Sequence, residues 1–209
     1  MRKTRGERIF NVFNLMILTV LGLTCLLPFI HIIAKSMSDE VSVLANEVVF
    51  LPKGFNFNAY LFVMDNSQFQ TSFILTTAIT LVGTTIALLV TCFTAYVLTR
   101  KGLPGGSIIA LLYIITMFFG GGMIATYILY KQINLLDNFW VLIFPASISP
   151  FNIVLMRNFF ESISPSLEES AKIDGASHFK ILFKIYIPLS KAALATIGLF
   201  FAVMYWNSY

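Results

Sequence analysis

The chain has 209 residues, of which 57% are hydrophobic and only 11% are charged, and its formal net charge at pH 7 is +4. A soluble domain carries about 25% charged residues, so this composition excludes a protein whose whole surface faces water. The sequence therefore predicts an integral membrane protein. Its two cysteines, Cys25 and Cys92, lie inside apolar runs, which argues against a disulfide framework or a paired-cysteine metal site.

Uncharged apolar segments recur along the chain and predict an all-α membrane fold, because a bilayer core requires about 20 helical residues per span. The basic start of the chain also fits a signal peptide. However, the first apolar run is longer than the ~7–15 residues of a signal core, and no cleavage site follows it. A mixed segment at 35–65 predicts an external loop with a short helix near 58–64. The five predicted spans are 9–34, 71–98, 107–129, 138–157 and 189–206.

Small residues recur through the second predicted span and predict close packing against other helices. They are Gly83, Thr84, Thr85, Ala87, Thr91, Thr94 and Ala95.

The third and fourth predicted spans contain residues that interrupt helices. Three consecutive glycines cost a helix roughly 1 kcal/mol each relative to alanine, and proline also breaks the helical hydrogen-bond pattern. Broken membrane helices are tolerated where they are buried in protein or line a watery cavity, and in transporters they lie near the substrate path. A helix end with an irregular outer loop and a simple kink are the alternatives. The candidate substrate path is Gly120, Gly121, Tyr127, Pro145, Pro150 and Asn152.

A polar stretch between the last two predicted spans, SPSLEESAKIDGASHFKILFKIYIP, predicts two short helices around a turn. Ser164 or Ser166 can cap the first helix, and Ser166 and Glu169 have the spacing of a capping box. Glu168 and Glu169 lie in the first turns, where the helix dipole favours negative charge. Gly175 can supply the left-handed residue that ends this helix.

The second helix of this stretch is predicted to start at Ser177, which can act as its N-cap. Pro188 is predicted to end the helical pattern. One apolar stripe follows the spacing i, i+3, i+4, i+7, and its members are Phe179, Leu182, Phe183 and Tyr186.

The same stretch carries Glu169-Ser170-Ala171, then Gly175, then Ile185-Tyr186-Ile187-Pro188, and Asp174 and Ala176 flank the glycine. This pattern resembles the EAA loop of ABC-importer permeases, which reads Glu-Ala-Ala, three residues, Gly, nine residues and Ile-x-Leu-Pro. In that family the loop couples the membrane helices to an ATPase. The resemblance assigns this coupling role to Glu169, Ser170, Ala171, Asp174, Gly175, Ala176 and Pro188.

The distribution of basic residues predicts the orientation of the chain independently of the loop motif. With five spans, all 14 Lys and Arg residues except Lys35, Lys53 and Lys131 fall on the side of the N-terminus. The positive-inside rule places that side in the cytoplasm. The loop at 158–188 is therefore predicted to be cytoplasmic, as the resemblance requires.

The resemblance implies the transmembrane fold of a type I ABC importer of the carbohydrate branch, similar to Gram-positive permeases for complex polysaccharides or oligosaccharides. It implies an N-terminal span with an external loop at 1–70 and a permease domain at 71–209. The family usually has a sixth span, so a truncated sequence is expected.

A permease of this kind is expected to form half of the path for a sugar or oligosaccharide in a bacterial plasma membrane. The sequence has no phosphate-binding G-x-x-x-x-G-K-[ST] motif, so we expect no cofactor or catalytic activity in this chain and ATP binding in partner subunits. By resemblance those partners are a second permease, two nucleotide-binding ATPase subunits and an extracellular solute-binding lipoprotein, together with membrane lipid.

Other functions are compatible with parts of the sequence. Helix–turn–helix elements also bind DNA, but a position between two membrane spans argues against nucleic acid as a partner. Ion-coupled transporters and intramembrane proteases place ionisable groups at mid-membrane, and the predicted spans have no Asp, Glu, Lys or Arg at their centres. A permease for a solute other than a sugar remains an open alternative.

Overall fold

The computed structural model describes residues 5–100 and 102–208, and every regular element in that part of the chain is helical. The all-α fold is therefore as predicted. The chain divides into two compact units, Met1–Ser72 and Phe73–Tyr209.

The first unit contains one long apolar helix and a folded loop. Helix α1, Arg5–Ser36, contains the whole of the first predicted span, and α2 is Glu40–Leu44. The Asp39 side chain caps α2 by accepting a hydrogen bond of 3.2 Å from the backbone N–H of Ser42. Helix α3, Asn58–Asp65, matches the short helix predicted near 58–64.

The remaining helices, most of which belong to the second unit, include several short pieces between longer apolar ones. The bounds are α4 Ser67–Leu98, α5 Gly106–Phe118, α6 Gly122–Gln132, a 3-10 turn Phe139–Leu142, α7 Phe144–Ser147, α8 Pro150–Glu161, α9 Pro165–Ile173, α10 His178–Ile181, a π-helical turn Leu182–Tyr186, α11 Ile187–Leu189 and α12 Lys191–Trp206.

Two of the described helices, α1 and α4, are long and apolar enough to cross a membrane without interruption. Two bent pairs could add a span each. One comprises Phe139–Ser147 and Pro150–Glu161, at 46°, and the other comprises His178–Leu189 and Lys191–Trp206, at 86°. The third predicted span is divided between α5 and α6 at the glycines, where the interruption was expected.

One face of α4 packs tightly in the core of the second unit, and it is made of small residues. Gly83, Ala87, Thr91 and Ala95 are spaced four residues apart, and all four are buried. A Cβ atom on Gly83 would lie 2.7 Å from the ring of Tyr205 in α12, so only glycine leaves room for that ring. The predicted packing role of the small residues is confirmed for this face, whereas Thr85 is exposed.

The α4 core continues into α8, the π-helical turn and α12. Met156, Leu182, Ile197 and Phe201 are each at most 1% exposed. The Tyr205 hydroxyl donates a hydrogen bond of 2.8 Å to the backbone carbonyl of Ile143. These contacts fix the frame to which the polar loop between α8 and α12 is attached.

Candidate functional site

The first helix of the polar loop is α9, and it begins two residues earlier than the capping-box prediction requires. Ser164 is its N-cap and Pro165 its first residue, but the Ser164 side chain makes no capping hydrogen bond. Its hydroxyl is instead 2.8 Å from that of Ser166. The predicted box between Ser166 and Glu169 is wrong, because Ser166 already lies inside the first helical turn.

The turn after α9 is the one predicted, and its hydrogen bonds form a Schellman motif. Gly175 has a φ of +71°, in the left-handed region. The N–H of Gly175 donates to Lys172 O at 3.0 Å, and the N–H of Ala176 donates to Ala171 O at 2.9 Å. A Cβ atom on Gly175 would meet no atom within 4 Å. The glycine is therefore required for its backbone conformation and not for lack of space.

The second helix of the loop contains an unpredicted π-helical turn. Ser177 caps it as predicted, accepting from the N–H of Lys180 at 3.4 Å. The wider turn changes the residue spacing, so Ile181 and Leu182 are buried together with Tyr186. The predicted apolar stripe is wrong for Phe179 and Phe183, because both side chains are exposed. Each meets the ring of Phe93 edge-on.

Pro188 lies in the short helix α11, and the chain turns sharply just after it. The helical direction changes by 86° between His178–Leu189 and Lys191–Trp206. The break occurs at Ser190, two residues beyond the proline. The predicted end of the helical pattern is thus correct to within two residues.

A charged cluster centred on Glu168 joins this loop to the end of α4. The Glu168 side chain is only 14% exposed. Its Oε1 atom accepts from Arg100, with which it forms an ion pair, and lies 2.7 Å from Lys172 Nζ. Its Oε2 atom accepts a 2.7 Å hydrogen bond from the Tyr186 hydroxyl. One carboxylate therefore connects α4, α9 and the π-helical turn.

Aromatic rings surround the cluster and shield it from water. The Arg100 guanidinium lies 3.9 Å from the centre of the Tyr96 ring, close enough for a cation–π interaction. The Tyr96 and Tyr186 rings meet edge-on at 5.1 Å, and Tyr186 also meets Phe160 at 5.3 Å. Burial raises the pKa of the Tyr186 phenol, which lies in the polar loop outside the predicted spans. The phenol therefore keeps the proton that it donates to Glu168.

The opposite side of the loop is exposed. Glu169, Ser170 and Asp174 are exposed, whereas Ala171 and Ala176 are half-buried and pack against the core. Ile173 is 87% exposed, although it is a large apolar side chain in a polar loop. The structure thus separates the resemblance-based residues into an outer set that could meet a partner and an inner pair that supports the loop.

A cavity of about 1350 Å³ adjoins the cluster. Its lining includes Arg100, Arg157, Glu168, Glu169 and Lys172, and it extends along α5. Both basic and acidic side chains line it, and Arg157 is itself paired with Glu161 at 2.8 Å.

The candidate substrate-path residues lie outside the lining of this cavity. None of the six lines the large cavity. Gly120, Gly121 and Tyr127 are exposed at the break between α5 and α6, whereas Asn152 is 6% exposed in α8. Pro145 and Pro150 each lie in the first turn of a helix, α7 and α8, so they begin helices on either side of the bend.

Sequence reasoning missed three residues of the cluster and one surface residue. From the sequence, Glu168 is treated only as a favourable charge near a helix start, Tyr186 is placed only in the apolar stripe and the motif, and Arg100 is given no role in the loop. The ion pair joins residues 68 positions apart in the chain, so no local pattern could predict it. Ile173 gives a local signal, as an isoleucine in a polar stretch, that could have been noticed.

Three comparisons identify what this chain resembles. The family described as "Binding-protein-dependent transport system inner membrane component" matches residues 102–209. The polygalacturonan/rhamnogalacturonan transport system permease protein YtcP of Bacillus subtilis is 40% identical over 203 residues, covering 97% of this chain and 71% of that protein. Protein LplC of the same organism is 40% identical over 209 residues, covering all of this chain and 71% of its own length.

The structural comparison agrees with the sequence comparisons. A bacterial ABC transporter involved in the import of the acidic polysaccharide alginate matches with a TM-score of 0.91 and 38% identity, covering 100% of this chain and 75% of that chain. The chain therefore belongs to the family of binding-protein-dependent transport system inner membrane components, and it is an ABC-importer permease embedded in a membrane through its apolar helices.

Proposed function

We propose that this permease forms half of the translocation path for an oligosaccharide and receives the work of ATP hydrolysis through the loop at 164–188. The observation that supports this most directly is the two-sided construction of the loop. Its inner side is fixed by Glu168 and by the Schellman turn at Gly175, while Ser170 and Ile173 are exposed. A fixed inner side and a free outer side suit an element that carries force from a docked subunit.

The outer side of α9 has the properties of a protein docking surface. Isolated exposed apolar residues are common, but Ile173 sits among polar neighbours beside the small Ser170, which allows another backbone to approach. Burying one isoleucine side chain contributes roughly 1.5–3 kcal/mol. We assign the coupling residues two roles. Ser170, Ile173, Glu169 and Asp174 face the ATPase. Gly175 sets the angle between the two arms of the loop, which are α9 and the helix that begins at His178.

For the substrate, we propose an oligosaccharide derived from an acidic polysaccharide. The name of the relative YtcP refers to polygalacturonan and rhamnogalacturonan, and the description of the structural neighbour refers to alginate. Both support this proposal. Each of these polymers contains sugar acids. The aromatic and amide side chains of Tyr127 and Asn152 provide stacking and hydrogen-bonding groups suited to sugars, and we retain them, with Gly120, Gly121, Pro145 and Pro150, as the proposed substrate path.

The proposed assembly contains a second permease, two ATPase subunits that bind ATP and an extracellular solute-binding lipoprotein. This chain is the non-catalytic transmembrane part. Because its basic residues are concentrated on the side of the N-terminus, we propose that the N-terminus and the 164–188 loop lie in the cytoplasm of a bacterium.

Uptake by the complete transporter in proteoliposomes tests this function. We expect ATP-dependent accumulation of radiolabelled trigalacturonate when the binding protein is present, and little accumulation of maltotriose as the matched neutral trisaccharide. Uptake of maltotriose alone would contradict the acidic substrate class. Uptake of trigalacturonate without ATP would contradict the proposed mechanism.

A further inference from the structure

Helix α9 is held in place mainly by polar contacts and only slightly by apolar packing. None of its described residues is buried, and only the half-buried Ala171 contributes to the hydrophobic core. Apolar packing therefore provides little to fix its orientation. What remains on its inner face is the carboxylate of Glu168.

The contacts of this carboxylate reach two other parts of the second unit. Arg100 follows the last turn of α4, and Tyr186 ends the π-helical turn that leads towards α12. Hydrogen bonds to charged groups are shorter and about twice as strong as neutral ones. They are also directional, so the two contacts that come from outside α9, from Arg100 and Tyr186, restrict rotation of α9 as well as its position.

The aromatic surroundings make the cluster a rigid joint. Tyr96 and Tyr186 contact each other and flank Arg100 and Glu168, and Phe160 packs behind Tyr186. The Arg100 and Glu168 side chains are only 20% and 14% exposed, so water and salt screen this pair less than a fully exposed one. The hydroxyl of Tyr96 also lies 3.5 Å from His178 Nδ1 at the start of α10.

We propose that Glu168, with Arg100 and Tyr186, is a positioning group for coupling: it makes α9, the end of α4 and the π-helical turn move as one body when a partner acts on the loop. This inference rests on the proposed function of the loop and adds residues whose identity the motif does not specify. Glu169, the glutamate of the motif, is exposed, whereas Glu168 is largely enclosed, so we assign different tasks to the two adjacent glutamates.

The test compares Glu168→Gln with Glu161→Gln in the complete transporter. Both variants remove a carboxylate that pairs with an arginine, but the Glu161 pair is an exposed i, i+4 contact within α8. We expect Glu168→Gln to bind the ATPase subunits within twofold of wild type and to transport at least tenfold less trigalacturonate per ATP hydrolysed. Glu161→Gln should stay within twofold in both measurements.

The ratio of transport to hydrolysis separates coupling from stability, since misfolded complexes would lower both quantities in parallel. A wild-type ratio in Glu168→Gln, or a parallel loss of transport and hydrolysis, would overturn the inference. The double variant Arg100→Gln/Glu168→Gln should transport no less per ATP hydrolysed than either single variant, because the two side chains act as one unit. Additive losses in this ratio would contradict the inference.

A second measurement does not depend on the ATPase or the substrate. Spin labels on cysteines introduced at Thr99 and Asp174 report the distance between the end of α4 and the end of α9. We expect the distance distribution to broaden at least twofold in Glu168→Gln and to stay unchanged in Glu161→Gln. If wild-type protein fails to bind an ATPase, the proposed function is wrong, but the distance distribution still tests whether Glu168 holds α9 against α4. Broadening in Glu168→Gln supports that role, and an unchanged width overturns it.

Discussion

Replacing Gly175 tests whether the angle of the loop, and not merely its presence, is needed for transport. The residue has a φ of +71°, and a side chain there would meet no atom within 4 Å. The cost of a substitution is therefore conformational. An L-residue in the left-handed helical conformation costs roughly 1–2 kcal/mol, asparagine tolerates it best, and a β-branched residue fits it worst.

We therefore expect the transport rates of Gly175 variants to form a graded series. Gly175→Asn should transport close to the wild-type rate. Gly175→Ala should lose on the order of tenfold, because about 1.4 kcal/mol corresponds to a factor of ten in an equilibrium. Gly175→Val should lose more, because it forces the turn to open and misaligns the two arms of the loop. All three should insert and fold, since such costs are small beside a typical stability of about 5–15 kcal/mol.

The assay measures uptake of trigalacturonate per mole of monodisperse transporter recovered from membranes. Normalising to recovered transporter removes differences in expression. If Gly175→Val transports normally, the loop does not need its left-handed turn and the proposed role of Gly175 in setting the loop angle is wrong. If Gly175→Asn is as damaging as Gly175→Val, the glycine is needed for space or contact, which the structure does not support.

Three further predictions concern packing, docking and orientation. Gly83→Ala should destabilise the permease by about 1–3 kcal/mol through overpacking against the Tyr205 ring, and should lower the apparent Tm in detergent by several degrees. Gly198→Ala is the control, because its added Cβ atom meets only a flexible leucine side chain at 3.3 Å, and it should lower the Tm less. Equal decreases in Tm would contradict the packing argument. Ile173→Asp should reduce co-purification of the ATPase at least tenfold while Ile173→Leu preserves it, and an unaffected Ile173→Asp variant would remove this side chain from the docking surface. A single cysteine in place of Glu169 should react with a membrane-impermeant maleimide only after cells are permeabilised, so labelling of intact cells would contradict the cytoplasmic loop.

The elements that the sequence predicted well are those set by local chemistry. Gly175 ends α9 in the left-handed conformation because few other residues adopt it readily, and Ser177 caps the next helix because its side chain can reach a free N–H group. The long segments with few charges form the apolar helices α1 and α4, and α1 continues through Pro28 without a break. Each of these outcomes depends on residues within one or two turns.

The elements that it missed depend on contacts between distant parts of the chain. The motif directs attention to Glu169, yet Glu168 is the carboxylate that the fold encloses, because Arg100 and Tyr186 approach it from other helices. Likewise, the stripe at Phe179 and Phe183 assumed a regular α-helix. The π-helical turn brings Ile181 inward instead, and no residue pattern in the segment marks that turn in advance.

In the proposed mechanism, the outer face of α9 contacts an ATPase subunit and transmits its movement. Cysteine cross-linking tests this contact, with Ser170 replaced by cysteine in a cysteine-free transporter and single cysteines placed around the membrane-facing cleft of the ATPase. We expect a disulfide whose yield changes when ATP is added, and we expect its formation to stop transport until a reductant is supplied. If no cross-link forms from this position in a transporter that is active without oxidant, α9 does not dock on the ATPase.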